Sequence, residues 1–558
     1  MRPSVRPVVL VLPLLVLLAG CQARGLAAGG GAARDAARGA APDYDRDVAP
    51  LLRARAAFAP AEASGLAPGA PEDYAWETLV EGPWGETIVP FDPAGSLLLR
   101  LARDVPDSLA IPYPNLRTLA DDELRLLERW IRAGARASDG RIPFADARDV
   151  LYVCEQGQNS VAIIDPHRLR VIRRIYFDDH GLPSWPQGPH HVAFEPDGSA
   201  WYVSLVSSGT VARLSTRLDL DPSSPAYLLG RTAPGGITTP GMLVVDPTSD
   251  RLYVGRSTAS AEGTPGFAVV DRATLAAEQI DTLFDIPHGL AITPDGRLVV
   301  TASLTGGVLA VFEAASGDLV SQYALPGGPY ELVHLAVLPA QAGVAAPGAA
   351  GHGSGHGAGH GAGHGPPARS PGAGAGHAYE VSLTSRTTDE VLFFALSAEG
   401  ALRPLGAVPT GRGPWHAHMS ADGRTLLVPN RDGGSVTVLD VAERAVVATL
   451  HVGGDNDPLA MPHTPVPEMD APPGAARFFV SSSNLRGTWT PPYRFLGPPD
   501  AAGMRRLEGP ERQGNLAVFA SDGRLLRVIP LGFYPSGAEA DHGQHLHGGH
   551  RPGGGHAR

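Results

Sequence analysis

Residues 413 to 423 read GPWHAHMSADG, with His416 and His418 two apart ahead of an ADG turn. A turn of this kind after alternating residues marks the end of a β-strand. Alternate residues of a strand share a face, so both imidazoles project the same way. Comparable stretches read GPHHVAFEPDG, TPGMLVVDP, IPHGLAITPDG, GPYELVHLAVLP and MPHTPVPEMD. Aligned backward from their turns, they put His190, His191, Met242, His288, His334 and His463 in the same column. Five of these six stretches carry histidine, which makes seven imidazoles. A single histidine on a strand is ordinarily a core or surface residue. A shared register is different, because outside this column and the low-complexity segments only His167, His180, His377 and His451 remain. Like charges prevent so many imidazoles from all holding protons in one space. Neutral imidazole is the commonest metal ligand, and an all-imidazole set suits Cu, Zn, Fe or Ni. With no carboxylate in the column, copper is favoured over calcium or magnesium.

The elements that must position these residues repeat. Seven segments have the form apolar-aromatic-Val-small: LYVC at 151, WYVS at 201, LYVG at 252, LVVT at 298, YEVS at 379, LLVP at 426 and FFVS at 478. The steps between them are 50, 51, 46, 81, 47 and 52, the 81 containing an insertion. Further short strands follow each segment, such as SVAIID, VLAVFE and VVATLHV. Four short strands per unit at this period predict propeller blades, and seven units predict seven blades. The fold class expected is mainly β, a seven-bladed β-propeller over 143–540. The pattern resembles the YVTN and lactonase-type propellers over roughly 390 residues of the repeat region. In such a fold the histidine column converges on the central axis. Fold alone does not give function, which must come from the site.

The chain has 558 residues and a formal net charge of -12, and all 45 basic residues are arginine. An acidic balance argues against nucleic acid as a partner. The N-terminal MRPSVRPVVLVLPLLVLLAGC has arginines, an apolar run and a small-residue site, the order of a secretory signal. Its end, Leu18-Ala19-Gly20-Cys21, resembles a bacterial lipobox. The resemblance implies cleavage before Cys21, a lipid anchor there, and a place in the cell envelope at a membrane. Residues 22–43 are Ala/Gly-rich and read as a flexible tether. Cys154 is the only other cysteine, so neither a disulfide framework nor a thiolate zinc cluster is expected. It reads as a buried small hydrophobe.

Residues 44–142 form a separate small segment. An amphipathic helix is predicted in ADDELRLLERWIRAGA, with Leu124, Leu127 and Ile131 on one face and Gly134 at its end. With DYDRDVAPLL and IVPFDPAGSLLLRLA, it resembles the small cytochrome c domains of secreted bacterial proteins. Such domains carry C-x-x-C-H after the first element, where this chain has Ala56-Ala57-Phe58-Ala59-Pro60. Ile111 stands where the axial methionine would be. The resemblance thus implies a degenerate cytochrome c-like domain, helical and without covalent haem.

The hub column itself resembles that of nitrous oxide reductases, which hold a multicopper cluster with seven histidines at the hub of a seven-bladed propeller. His190-His191 match the adjacent pair of that family, and His288, His334, His416, His418 and His463 match as hub histidines. Residues 541–558, which follow the propeller, contain no cysteine, so no cupredoxin-like dicopper motif is expected in them; lysine is absent too, and Met242 stands where another imidazole could. The resemblance implies a copper-dependent oxidoreductase, with an external electron donor such as a cytochrome c or cupredoxin. Trp415, Glu331 and Asp285 are the expected supports of the ligand rings. Two other classes stay open: a non-catalytic copper carrier or sensor, and a lactonase-like or haem-d1-like propeller with another ligand at its mouth. Histidine-rich tracts in the insertion 344–377 and the tail 541–558 suit weak metal buffering. The tail is expected near the histidine side of the propeller and the insertion on the opposite face.

Overall fold

The computed structural model describes residues 41–55, 57, 74–81, 88–103, 116, 118–177, 188–258, 264–340, 377–420, 423–453, 457–468, 476–485 and 513–541. The leader with Cys21, most of the 22–43 tether, Ala56, Phe58 to Pro60, Ile111 and nearly all of both histidine-rich tracts lie outside the described residues.

Seven antiparallel four-stranded sheets make seven blades. Their strands are short because turn residues interrupt every apolar run. A residue with positive φ closes the same hairpin in five blades: Asn159, Gly209, Gly307, Asp389 and Gly434. Each sits directly before the third strand of its sheet, where left-handed backbone turns the chain sharply. Blades 2 to 7 are continuous in sequence, and blade 1 is not. Its inner strand is the C-terminal Pro535–Ala540, paired with Leu151–Glu155. That pairing joins the two ends of the repeat region in one sheet and closes the ring.

The tetrad repeat supplies the second strand of each blade, next to the axis strand. In blade 5 the register is two residues later than the motif at 379 predicts. Leu335 pairs with Leu383 and Leu332 with Ser385, so the matching tetrad is Val381 to Thr384.

The N-terminal segment is helical at Ala49–Ala54, Trp76–Glu81, Leu97–Arg103 and Asp121–Arg132. The last helix buries Leu124, Leu127, Trp130 and Ile131, and Gly134 leaves it with a φ of 97°. These helices share one apolar core with Tyr152, Cys154 and Trp201 of blades 1 and 2. Two polar links join the same elements. Arg173 donates to the carbonyls of Pro143 and Leu218. Arg174 donates to both Glu155 oxygens at 2.8 and 3.0 Å, and lies 3.4 Å from Asp92. No helix among the described residues is long and apolar enough to cross a membrane.

Candidate metal centre

The inner strands begin at Pro189, Pro240, Pro287, Leu332, Pro462 and Pro535, and blade 6 has Pro414 bridged to Asn430 at the same step. Every one carries an extra residue just after this point. In blade 2, Pro189 pairs with Leu205 and Val192 with Val203, so three steps oppose two. The same offset occurs in blades 1, 3, 4, 5 and 7. In blade 6 the four steps from Pro414 to His418 oppose the three from Asn430 to Leu427. A bulge leaves residues out of the ladder and re-aims their side chains. Six of the seven histidines occupy these bulges: His190 and His191, His288, His334, His416 and His463. His418 lies in the regular strand just beyond, and Met242 sits buried at the bulge of blade 3.

The small residue of the repeat supports the bulge. Ser204 and Ser481 accept from the backbone N–H of His191 and Thr464 at 3.1 Å. Thr384 accepts that of His334 at 3.0 Å; in blade 4 this place falls to Ala302, one residue past the tetrad, and the neighbouring Thr301 donates to the Gly289 carbonyl at 2.9 Å. Cys154 takes this place in blade 1, is fully buried, and its thiol is pushed up by burial. The second residue past the opening proline is glycine in blade 4, Gly289, and again in blade 1, Gly537. A Cβ at Gly537 would lie 2.3 Å from the His190 carbonyl oxygen, so only glycine allows the strands to approach.

Ligand atoms of His190, His288 and His416 lie within 4.8 Å of one another, and all three residues are buried. His416 is central. Its ring centroid is 4.7 Å from His463, 5.6 Å from His288, 5.7 Å from His334 and 6.0 Å from His190. The hydrogen bonds assign tautomers. His288 Nδ1 faces the Val333 carbonyl at 2.7 Å and therefore donates. His190 Nδ1 faces Gln156 Oε1 at 3.2 Å and likewise donates. Each then turns a bare Nε2 lone pair inward, and His190 Nε2 is buried with no hydrogen-bond partner. A backbone carbonyl holding the far nitrogen is the usual support of a metal-bound histidine. Neither nitrogen of His416 has a hydrogen-bond partner. Orphaned buried nitrogens of this kind fit a metal.

Other rings are engaged differently. The Leu243 N–H donates to His191 Nδ1 at 3.3 Å, which leaves the proton on Nε2. The Trp415 indole donates to His463 Nε2 at 3.1 Å, and His463 Nδ1 lies 3.1 Å from the Thr464 hydroxyl. His418 Nε2 is 3.6 Å from Glu539 Oε1.

Against known proteins, the sequence matches no family and no curated protein. Solved structures of similar shape include a gluconolactonase of the Pseudomonas aeruginosa periplasm, at 17% identity over 70% of this chain and 98% of that one, with a TM-score of 0.44. A putative 6-phosphogluconolactonase of Bacteroides fragilis gives 13% identity, the same coverage and a TM-score of 0.44. A dihydro-haem d1 dehydrogenase gives 12% identity over 82% of this chain and 92% of that one, with a TM-score of 0.42. These likenesses concern the propeller fold alone.

Burial holds the hub imidazoles neutral. It pushes His190 down to about 3, with the charges of His288 and Arg431 acting in the same direction. His418 falls to about 4 for the same reason, opposed by its bond to the Pro465 carbonyl. His191, His416 and His463 are held well below the ordinary histidine range by burial and then by neighbouring charges. His288 is lowered by burial and partly restored by its bond to Val333.

Three sequence expectations change. The column does contain a carboxylate, Glu539, because the seventh inner strand is the C-terminal one and escapes an alignment to six turns. Of the expected supports, Trp415 contacts His463 and stacks on His416 at 15°. Glu331 instead bonds Arg386 at 3.0 Å, and Asp285 accepts the Ser303 hydroxyl through its carbonyl. The chain leaves the described region at Ala340 and Asp541, each just past an inner strand, at its end away from the histidines. The tail thus departs from the same side as the insertion, not from the histidine side. Gln156 is a support that sequence reading missed, since a loop glutamine gives no periodic signal.

Proposed function

We propose that the hub binds copper and that the protein is a copper-dependent oxidoreductase reducing nitrous oxide to dinitrogen. The observation that carries this reading is the convergence of His190, His288 and His416 within 4.8 Å, with nitrogens bare or unpartnered. An all-imidazole donor set with neutral rings suits copper at ordinary pH without displacing protons. Bound copper would supply two electrons to a poor ligand, in the balance N2O + 2 H+ + 2 e− → N2 + H2O, the electrons arriving from an external cytochrome c or cupredoxin. The protein's part is to hold the rings, fix their tautomers and exclude water. Val333 and Gln156 hold their rings by hydrogen bonds, and Trp415 braces His416 by stacking on it. His334, His418, His191 and His463 complete the proposed ligand set, the last two after releasing their present hydrogen bonds.

One observation favours a second reading. The Leu243 N–H and the Trp415 indole already occupy His191 and His463, which leaves three convergent imidazoles, enough for one ion. A single-ion carrier or sensor needs no more.

Anaerobic copper titration of the full chain, followed by nitrous oxide consumption with a strong artificial reductant, separates the two. The His190→Ala, His416→Ala double variant should lose hub copper and turnover. More than one copper per hub with turnover supports the oxidoreductase. One copper per hub with no turnover moves the protein to the carrier class, and full hub loading in the double variant sinks both.

A further inference from the structure

Arg431 directly follows the second strand of blade 6 and is 8% exposed. Its guanidinium lies over Trp415, with the central carbon 4.4 Å from the ring centroid. One terminal nitrogen donates to the Tyr534 hydroxyl at 3.3 Å. Its Nε is buried and has no hydrogen-bond partner among the described residues. No carboxylate among those residues comes within ion-pair distance of it. Arg386 shows the contrast. It also lies over Trp415, but Glu331 and Asp432 neutralise it at 3.0 and 2.9 Å.

A buried charge without a counter-charge is costly, and an unmet donor adds to that cost. Arginine cannot escape by losing its proton. An acceptor carrying negative charge would answer both problems at once. A second donor lies beside it. The Tyr534 hydroxyl accepts from Arg431, so its own proton is directed elsewhere, and its ring lies 6.2 Å from His463. The place is tied to the hub. The Tyr534 carbonyl accepts the Gln156 N–H at 3.0 Å, and Gln156 holds His190. The Arg431 charge is felt at both His190 and His463.

We propose that Arg431 and the Tyr534 hydroxyl form a binding site for a small monovalent inorganic anion at the mouth of the hub, beside His190 and His463. Trp415 covers the guanidinium on one side, so the ligand is small. Buried hydrogen bonds from a guanidinium are charge-assisted and strong. The site stands on the protein's own residues, and it goes beyond the copper reading.

The test uses azide and the chelator-treated, metal-free full chain at about pH 8, above the ordinary histidine range. The infrared stretch of azide moves when the ion leaves water for fixed donors. A saturable band distinct from free azide is expected for the wild type. Arg431→Met should abolish it, and Arg431→Lys should weaken binding by roughly tenfold, because an ammonium cannot reproduce the planar fork. Far-UV circular dichroism checks that each variant folds. Absence of a bound band in the wild type overturns the proposal, as does unchanged affinity in either folded variant. If Arg431→Met fails to fold, the lysine variant decides alone. Copper titration of the same preparation is a separate measurement, so failure here leaves the copper reading standing.

Discussion

The Trp415 indole N–H points at His463 Nε2 from 3.1 Å, while its ring stacks on His416 at an interplanar angle of 15°. One side chain therefore braces the central imidazole and engages the lone pair of its neighbour. For His463 to ligate a metal through Nε2, this hydrogen bond must break. Trp415→Phe keeps an aromatic face against His416 and removes the donor. A buried hydrogen bond is worth about 1 kcal/mol net, so hub copper should bind about fivefold tighter in the variant. Competitive copper titration against a chelator measures it. Weaker binding would mean that the indole bond positions His463 and does not compete with the metal.

Ser204 accepts the His191 N–H at 3.1 Å inside the blade 2 bulge. Ser204→Ala leaves that buried N–H without its acceptor, at a cost of roughly 1 to 3 kcal/mol. The bulge also carries His190, so hub copper affinity should fall with the stability. Urea unfolding and copper titration are to be run together on the metal-free chain. A stability loss with unaltered copper affinity would show that the bulge keeps its shape without the serine.

Lipid attachment at Cys21 is proposed from the leader sequence alone. Two acyl chains or more suffice for stable anchoring, where one alone does not. Cys21→Ala should move the protein from the membrane fraction to the soluble one. Mass spectrometry of the mature N-terminus in membrane fractions is the check, and an unmodified Cys21 there would sink the proposal.

The fold was legible because each blade repeats the same tetrad and turn, and periodicity survives errors at single positions. The shift of blade 5 to Val381–Thr384 shows the limit, since two nearby frames both fit an apolar alternation. The histidine column was legible for the same reason, through its fixed distance from the turns. Its geometry was not. Alternation assigns faces only in a regular strand, and the histidines of five blades sit in bulges, where alternation fails. Glu539 was hidden by closure, because its strand belongs to a blade begun at Leu151. The role of Arg431 depends on what fails to reach it in space, which no local pattern encodes.

Acid should unfold this protein steeply, and the hub histidines give the reason. An ordinary histidine titrates near 6.5, whereas the folded chain holds His190 near 3 and His418 near 4. Below about pH 6.5 the unfolded chain therefore takes up protons that the folded chain refuses. Stability is fully present above that pH and falls as pH drops toward the folded values. Each such histidine contributes about 1.4 kcal/mol per pH unit within the window. His416 is held down by burial too, so His190→Ala with His416→Ala removes two of these groups. The double variant should lose about 2.7 kcal/mol per pH unit from the slope, twice the single contribution. Its stability at neutral pH falls for a different reason, the loss of buried contacts, so the slope and not the intercept is the diagnostic. Urea unfolding of metal-free protein at several pH values between about 7 and 5 gives both. Equal slopes in the wild type and the double variant would show that these imidazoles are not held neutral in the hub.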